Sequence, residues 1–392
     1  MDGLHLTRRS ALLGLSAAFT LGRSSLALGA APTERRFVVV LLRGAMDGLS
    51  AVQPYGDPAF AGLRGNLAMP GPGQDGGVLD LGGFYGLHPA LSNLHGMYRA
   101  GDALILHAVA GHYRSRSHFE AQDYLESGAD QRLSSGWLNR AVAAMPANGR
   151  ELALTVGLSA PLLLRGPARV ESWAPDHFAQ PSNDLYLRIA GLCAHDPILG
   201  PAIDEGIRQR GVDASLITGQ PDKQAKSLTV LADAAGRLLG GTDGPRVAVL
   251  ETNGWDTHAD QPRRLAANFR QLDDALAAFR AAIGPAWRNT VVLAVTEFGR
   301  TARVNGTNGT DHGTGGVAFV MGGAVAGGRV RADWPGLGAG RLFEDRDLMP
   351  SADVRAVAKG LLGAHMGLGS GALAGVFPGS GDVQPMSGLV RA

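Results

Sequence analysis

The sequence is nearly without cysteine: Cys193 is the single thiol among 392 residues. One thiol excludes an intrachain disulfide and any thiolate zinc cluster. Its setting, Leu185-Tyr-Leu-Arg-Ile-Ala-Gly-Leu-Cys193, reads as a small core residue. Charge is also sparse and balanced, with 18% charged residues and a formal net charge of +1. So there is no electrostatic case for nucleic acid or an anionic membrane as partner. Past the first thirty residues, no apolar run reaches the ~18–20 residues of a membrane span, so no span is expected there.

Glycine, by contrast, is abundant, with 57 residues, which predicts many loops and tight turns. The length suits one large α/β domain or two smaller ones. Met1 to about Ala30 reads as a leader rather than structure. Arg8-Arg9 precede the apolar segment Ala11 to Leu21, and Ala27-Leu-Gly-Ala-Ala31 offers small residues for cleavage. Paired arginines in that position read as a twin-arginine signal, which implies the twin-arginine translocase as partner and the periplasm or cell surface as destination. An ordinary secretory signal is the alternative. The expectation is therefore a signal over residues 1–30 and a single domain over 31–392, with a cap or insertion around 151–241.

The central stretch is Asn289 to Met321. Thr290 to Val295 is an apolar, β-branched run without helical period, which predicts a strand buried on both faces. Glu297 and Arg300 follow at its carboxyl end, where open α/β sheets bind ligands. After a Gly/Asn/Thr loop come Asp311-His312 and a second apolar run, Val317 to Met321. The same grammar recurs elsewhere. Arg36 to Leu42 leads to Asp47. Ala103 to Val109 leads to Ser115, Arg116, Ser117 and His118. Arg246 to Leu250 leads to Glu251, Asp256 and His258. Ser117 suits the N-cap of a helix through Ser127, and Ser351 the N-cap of a closing helix. Leu162 to Leu164 reads as strand-like. Leu265, Phe269, Leu272, Leu276, Phe279 and Ile283 recur at steps of four and three, an amphipathic helix covering one sheet face. Strands that alternate with helices in this way predict an α/β fold, a mainly parallel sheet sandwiched by helices.

Collected at one edge, Asp47, Glu251, Asp256, His258, Glu297, Asp311 and His312 would repel one another unless cations neutralise them. Mixed carboxylate and imidazole ligands suit Zn or Mn, and an all-oxygen subset suits Mg or Ca. Metal ions at such an edge can hold the entering and leaving oxygens of a phosphoryl or sulfuryl transfer. Ser115 or Ser117 at a helix N-terminus would attack, with His118 beside it and Arg114 or Arg116 neutralising the ester's oxyanion. Each motif also has a plainer reading, as turn chemistry, strand end or structural cap.

Together, Arg116-Ser-His-Phe-Glu-Ala-Gln-Asp, Gly254-Trp-Asp-Thr-His, Thr296-Glu-Phe-Gly-Arg-Thr and Asp311-His-Gly-Thr-Gly resemble the alkaline-phosphatase-like superfamily, which includes sulfatases. More closely, they resemble a bacterial family of unknown function within it, whose members commonly carry twin-arginine signals. The resemblance implies an alkaline-phosphatase-like fold with metal ligands at Asp47, Asp256, His258, Glu297 and His312, and with Glu251 where some phosphatases hold a third ion. Two departures stand out. Phe298 occupies the usual place of a histidine ligand, and Ser115 lies three residues before His118 where mutase-like relatives favour four. The function implied is an exported metal-dependent hydrolase of small-molecule, glycan or lipid phosphate or sulfate esters. A non-catalytic periplasmic or surface binding protein on the same scaffold is the alternative, and a transferase acting on envelope lipids or sugars a third.

Overall fold

A computed structural model describes residues 33–146, 152–157, 160–174 and 227–391. The leader, Cys193 and most of the expected cap lie outside these residues. Twelve strands are described: β1 Arg36–Leu42, β2 Val52–Gln53, β3 Leu79–Asp80, β4 Gly86–Leu87, β5 Ala103–Ala110, β6 Ala153–Val156, β7 Val170–Trp173, β8 Val247–Thr252, β9 Thr290–Val295, β10 Gly316–Met321, β11 Arg329–Arg331 and β12 Ala352–Asp353. The helices are α1 Gly48–Ala51, α2 Phe60–Arg64, α3 Ser92–Arg99, α4 His118–Ser127, α5 Trp137–Ala144, α6 Leu228–Gly240, α7 Gln261–Ile283, α8 Val354–Ala364 and α9 Ser370–Val376.

The main sheet runs β11-β5-β10-β9-β1-β8-β6-β7, with β12 also on β5. β1 pairs in parallel with β8 and β9, and β6 with β8 and β7. β10 alone among these strands runs antiparallel, against both β5 and β9. The fold is thus a mixed, mostly parallel sheet with helices on both faces. Alternation along β1 sorts the two cores. Val38, Val40 and Leu42 pack with α3, α6 and α7, whereas Phe37, Val39 and Leu41 pack with α5, α8 and α9. All six residues of the α7 stripe are buried, at 5% exposure or less.

Three local expectations are corrected. Leu162–Leu164 forms a 3-10 turn, led in by Pro161, rather than a strand. The closing helix α8 is capped by Asp353, whose carboxylate accepts from Arg355 N at 2.7 Å, and not by Ser351. Ala352 and Asp353 pair with β5 first, which delays the helix start. Residues 153–156 and 170–173, expected within a cap, belong to the main sheet as β6 and β7.

Topology places the chemistry. β1, β5, β8 and β9 all point their carboxyl ends to one edge, and antiparallel β10 brings its amino end there. His312, just before β10, therefore meets residues that lie just after parallel strands.

Candidate metal centre

Three imidazoles and one carboxylate converge at this edge. Nε2 of His312 lies 3.0 Å from Nε2 of His118 and 3.0 Å from Nε2 of His258. Asp256 Oδ1 lies 2.9 Å from His258 Nε2 and 3.3 Å from His312 Nε2, and its Oδ2 lies 3.6 Å from His118 Nε2. His118, Asp256 and His312 offer ligand atoms within 4.8 Å of one another, and His258 joins through its contacts with two of them. The cluster is reachable from solvent, since the Asp256 and His258 side chains are 43% and 44% exposed.

The second nitrogen of each ring fixes which atoms carry protons. His312 Nδ1 lies 3.0 Å from the Arg116 carbonyl oxygen, which can only accept, so Nδ1 carries the hydrogen. His118 Nδ1 donates to Glu297 Oε1 at 2.8 Å, and His258 Nδ1 to Asp311 Oδ1 at 3.1 Å. Burial would raise the Glu297 and Asp311 pKa values, but their donors outweigh it and hold both below the ordinary value. In the neutral rings, all three Nε2 lone pairs thus face one another and the Asp256 oxygens. Such a convergence is relieved either by a proton on one Nε2 or by a cation at its centre. The separations also suit one: a tetrahedral ion with bonds of ~2.0–2.1 Å sets its ligand atoms about 3.4 Å apart.

Supporting groups hold this arrangement. Glu297 pulls the His118 pKa up through its hydrogen bond, whereas burial and then the neighbouring His118 push His312 down. Buried Arg300 donates from Nη1 to Asp256 Oδ1 at 2.6 Å; burial would raise the Asp256 pKa, but the guanidinium outweighs it. Arg300 is itself pinned to Thr310, whose hydroxyl donates to Gln261 Oε1 at 2.6 Å. Phe298 packs its ring against His118 and His312, with centroids 4.9 and 5.3 Å away, an apolar wall where a ligand was expected. Gly44, with φ +116°, lets the end of β1 approach the backbone before Asp256; a Cβ there would sit 2.6 Å from Asp256 N.

The expected site residues therefore separate. Asp256, His258 and His312 come together in one cluster. His118, expected beside the attacking serine, joins them with its Nε2. Glu297 and Asp311 stand one bond back, orienting His118 and His258. The structure does not bring Asp47 or Glu251 to the group. Asp47 is fully buried as the N-cap of α1 and pairs with Arg64, and Glu251 pairs with Arg43. The Arg116 guanidinium, expected on an oxyanion, binds Glu344 at 2.6 Å and Asp347 at 2.7 Å instead. What Arg116 offers the centre is its backbone carbonyl, presented from a left-handed conformation with φ 63°. Arg114 folds back onto the carbonyls of Gly111 and Tyr113.

Ser117 sits at the α4 N-cap, yet its hydroxyl makes no capping bond. Ser115 and Ser117 both turn towards the Tyr113 hydroxyl, Ser115 Oγ at 2.6 Å, and Tyr113 is bonded to Glu120. What the sequence reading missed, the turn of His118 Nε2 into the cluster and Arg300 as the partner of Asp256, was marked only by position after a buried strand. A cavity of about 620 Å³ beside α7, lined by Gln53, His88, Gln261 and Arg270 among others, contains no residue of the cluster.

Fold and site define the class: an α/β protein with a His/Asp cluster fit for a divalent metal at the carboxyl edge of its sheet. The chain belongs to the family described as "Protein of unknown function (DUF1501)", whose model matches residues 111–377. No curated protein matches the sequence. Solved structures similar to it include Ps i-CgsB in complex with k-i-k-neocarrahexaose, at 9% identity over 74% of this chain and TM-score 0.33; this chain spans 66% of its length. Another is a protein in the alkaline phosphatase superfamily from Vibrio parahaemolyticus, at 13% identity, covering 83% of this chain and 72% of that one, TM-score 0.33. A third is a TAB5 alkaline phosphatase mutant with Mg bound, at 10% identity, covering 74% and 91%, TM-score 0.35. Likeness this distant leaves the chemistry to be argued from the residues.

Proposed function

We propose that the protein is an exported, metal-dependent hydrolase of phosphate or sulfate esters. The observation that carries this reading is the convergence of Nε2 of His118, His258 and His312 with the Asp256 carboxylate at a sheet edge reachable from solvent. Those four residues would hold the ion, with Zn or Mn favoured by the imidazole-rich donor set. The ion would supply Lewis acidity, polarising a phosphoryl or sulfuryl oxygen.

The chain's own groups supply the rest. His118 opens α4, whose N-terminus lacks a side-chain cap. Its first-turn N–H groups and helix dipole therefore favour an anionic ester at that point. Ser115 is the better attacking group. The Tyr113 hydroxyl donates its hydrogen bond to Glu120, which leaves its oxygen to accept from Ser115; as Ser115 attacks, its proton would pass to Tyr113 while the Tyr113 proton passes to Glu120. Export rests on the Arg8-Arg9 leader, and no helix among the described residues is long and apolar enough to cross a membrane.

The test is elemental analysis of the native protein together with aryl phosphate and aryl sulfate hydrolysis. Turnover that needs the metal and disappears in Ser115→Ala is expected. Metal-free protein, or turnover indifferent to both serines, would refute the reading. A binding protein with the same centre is the second reading, favoured by one observation: neither serine is bonded to a group of the cluster. Ligand retention without turnover would select it.

A further inference from the structure

We infer that the centre takes one divalent cation and that Asp47, the carboxylate the resemblance would lend to a second, is closed to metal by its own donors and by Arg64. This rests on the metal reading above and deepens it. Asp47, the acid after β1, is a metal ligand only by the resemblance drawn from the sequence. It is 0% exposed, and its oxygens are already fully engaged. Oδ1 accepts from Leu49 N at 3.1 Å and Ser50 N at 3.3 Å. Oδ2 accepts from Ser50 Oγ at 2.8 Å, from Gln261 Nε2 at 2.5 Å and from Arg64. Five donors on two oxygens leave no lone pair for a metal. The Arg64 guanidinium is equally buried, so the pair is neutral where it stands, and separating it would leave an uncompensated charge in the interior.

On the cluster's own side, Phe298 lays hydrocarbon against His118 and His312 where a further ligand would have to stand.

The test is stoichiometry. Purified full-length apoprotein is titrated with Zn²⁺, with and without excess Mg²⁺, bound metal is measured by elemental analysis, and the site geometry is read from the visible bands of the Co²⁺ form. One ion per chain with four-coordinate Co²⁺ bands is expected. The Asp47→Asn/Arg64→Met double variant removes the buried pair together, so neither charge is orphaned; it should still bind one ion with the same spectrum, its folding checked by circular dichroism. Two ions per chain, or loss of the ion from the folded double variant, would overturn the inference and leave the metal reading standing. No ion at all would overturn both.

Discussion

Replacing Glu297 with Gln isolates charge from shape at the centre. Glu297 Oε1 accepts from His118 Nδ1 at 2.8 Å, Gly44 N at 2.8 Å and Gln122 Nε2 at 2.9 Å. A glutamine carbonyl oxygen can accept all three bonds. Its new amide N–H would face Thr296 Oγ1, the neighbour of Oε2 at 2.9 Å. That hydroxyl donates to the Leu42 carbonyl and accepts from Met46 N, leaving one lone pair for the newcomer. Packing and ring orientation are therefore kept, and only the negative charge behind His118 is lost. That charge makes the ring a stronger base and hence a stronger donor to a cation. Losing such a partner weakens metal binding by about 10–100-fold, or ~1.4–2.7 kcal/mol. Competition between the protein and a chromogenic chelator for Zn²⁺ measures it, with urea melts of the apoprotein alongside. Unchanged affinity would refute the argument. So would a loss of apoprotein stability as large as the affinity loss, because Glu297 would then be a structural residue.

Three further outcomes follow from the packing. His88, His107 and His365 are buried, and burial is the main reason their pKa values fall to about 4. Because the unfolded chain takes up protons first, stability from these groups is full above about pH 6.5 and is lost as pH falls towards 4, up to ~3 kcal/mol each. Urea melts between pH 7 and 4.5 should follow that slope, and His107→Gln should flatten part of it; a flat parent profile would contradict the assignment. Gly44→Ala forces a side chain into a left-handed residue against the backbone of Asp256, at a conformational cost of about 1–3 kcal/mol. It should also lower Zn²⁺ affinity by displacing that ligand, and wild-type affinity would rule this out. Phe269→Ala empties a fully buried site between Trp255 and His88 and should cost about 3–5 kcal/mol in denaturant melts, with a loss under 1 kcal/mol contradicting the packing.

The strands were readable because burial on both faces leaves an apolar run that no other element matches. Val247 to Leu250 and Thr290 to Val295 show this directly. Their polar successors were readable as one edge for the same reason. Which of those successors touch was not readable. Asp47 and Asp256 each follow a strand closely, yet Arg64, distant from both in meaning though near Asp47 in sequence, removes one from the centre. Nothing in a helix ending Leu63-Arg64 announces that its guanidinium turns inward. His118 was read as an accessory to serine because the sequence places it between Ser117 and a helix, and only the ring's second bond, to Glu297, turns its Nε2 towards His312. The Arg116 carbonyl is invisible to any reading by side-chain chemistry.

The lone reversed strand, β10, has a consequence for how this centre can change. Residues 296–315 leave β9 and come back to the strand beside it, so the excursion starts and finishes at a single rim. The middle of such a loop, between Arg300 and Thr310, can grow or shrink without rerouting the chain or reordering its neighbours. The segment carrying Asp256 and His258 has no such licence, because it must hand the chain on to α7 across one face. Diversification should therefore concentrate in the middle of the β9–β10 excursion, while its two ends, with Glu297 and His312, and the β8 side with Asp256 and His258 keep the cluster.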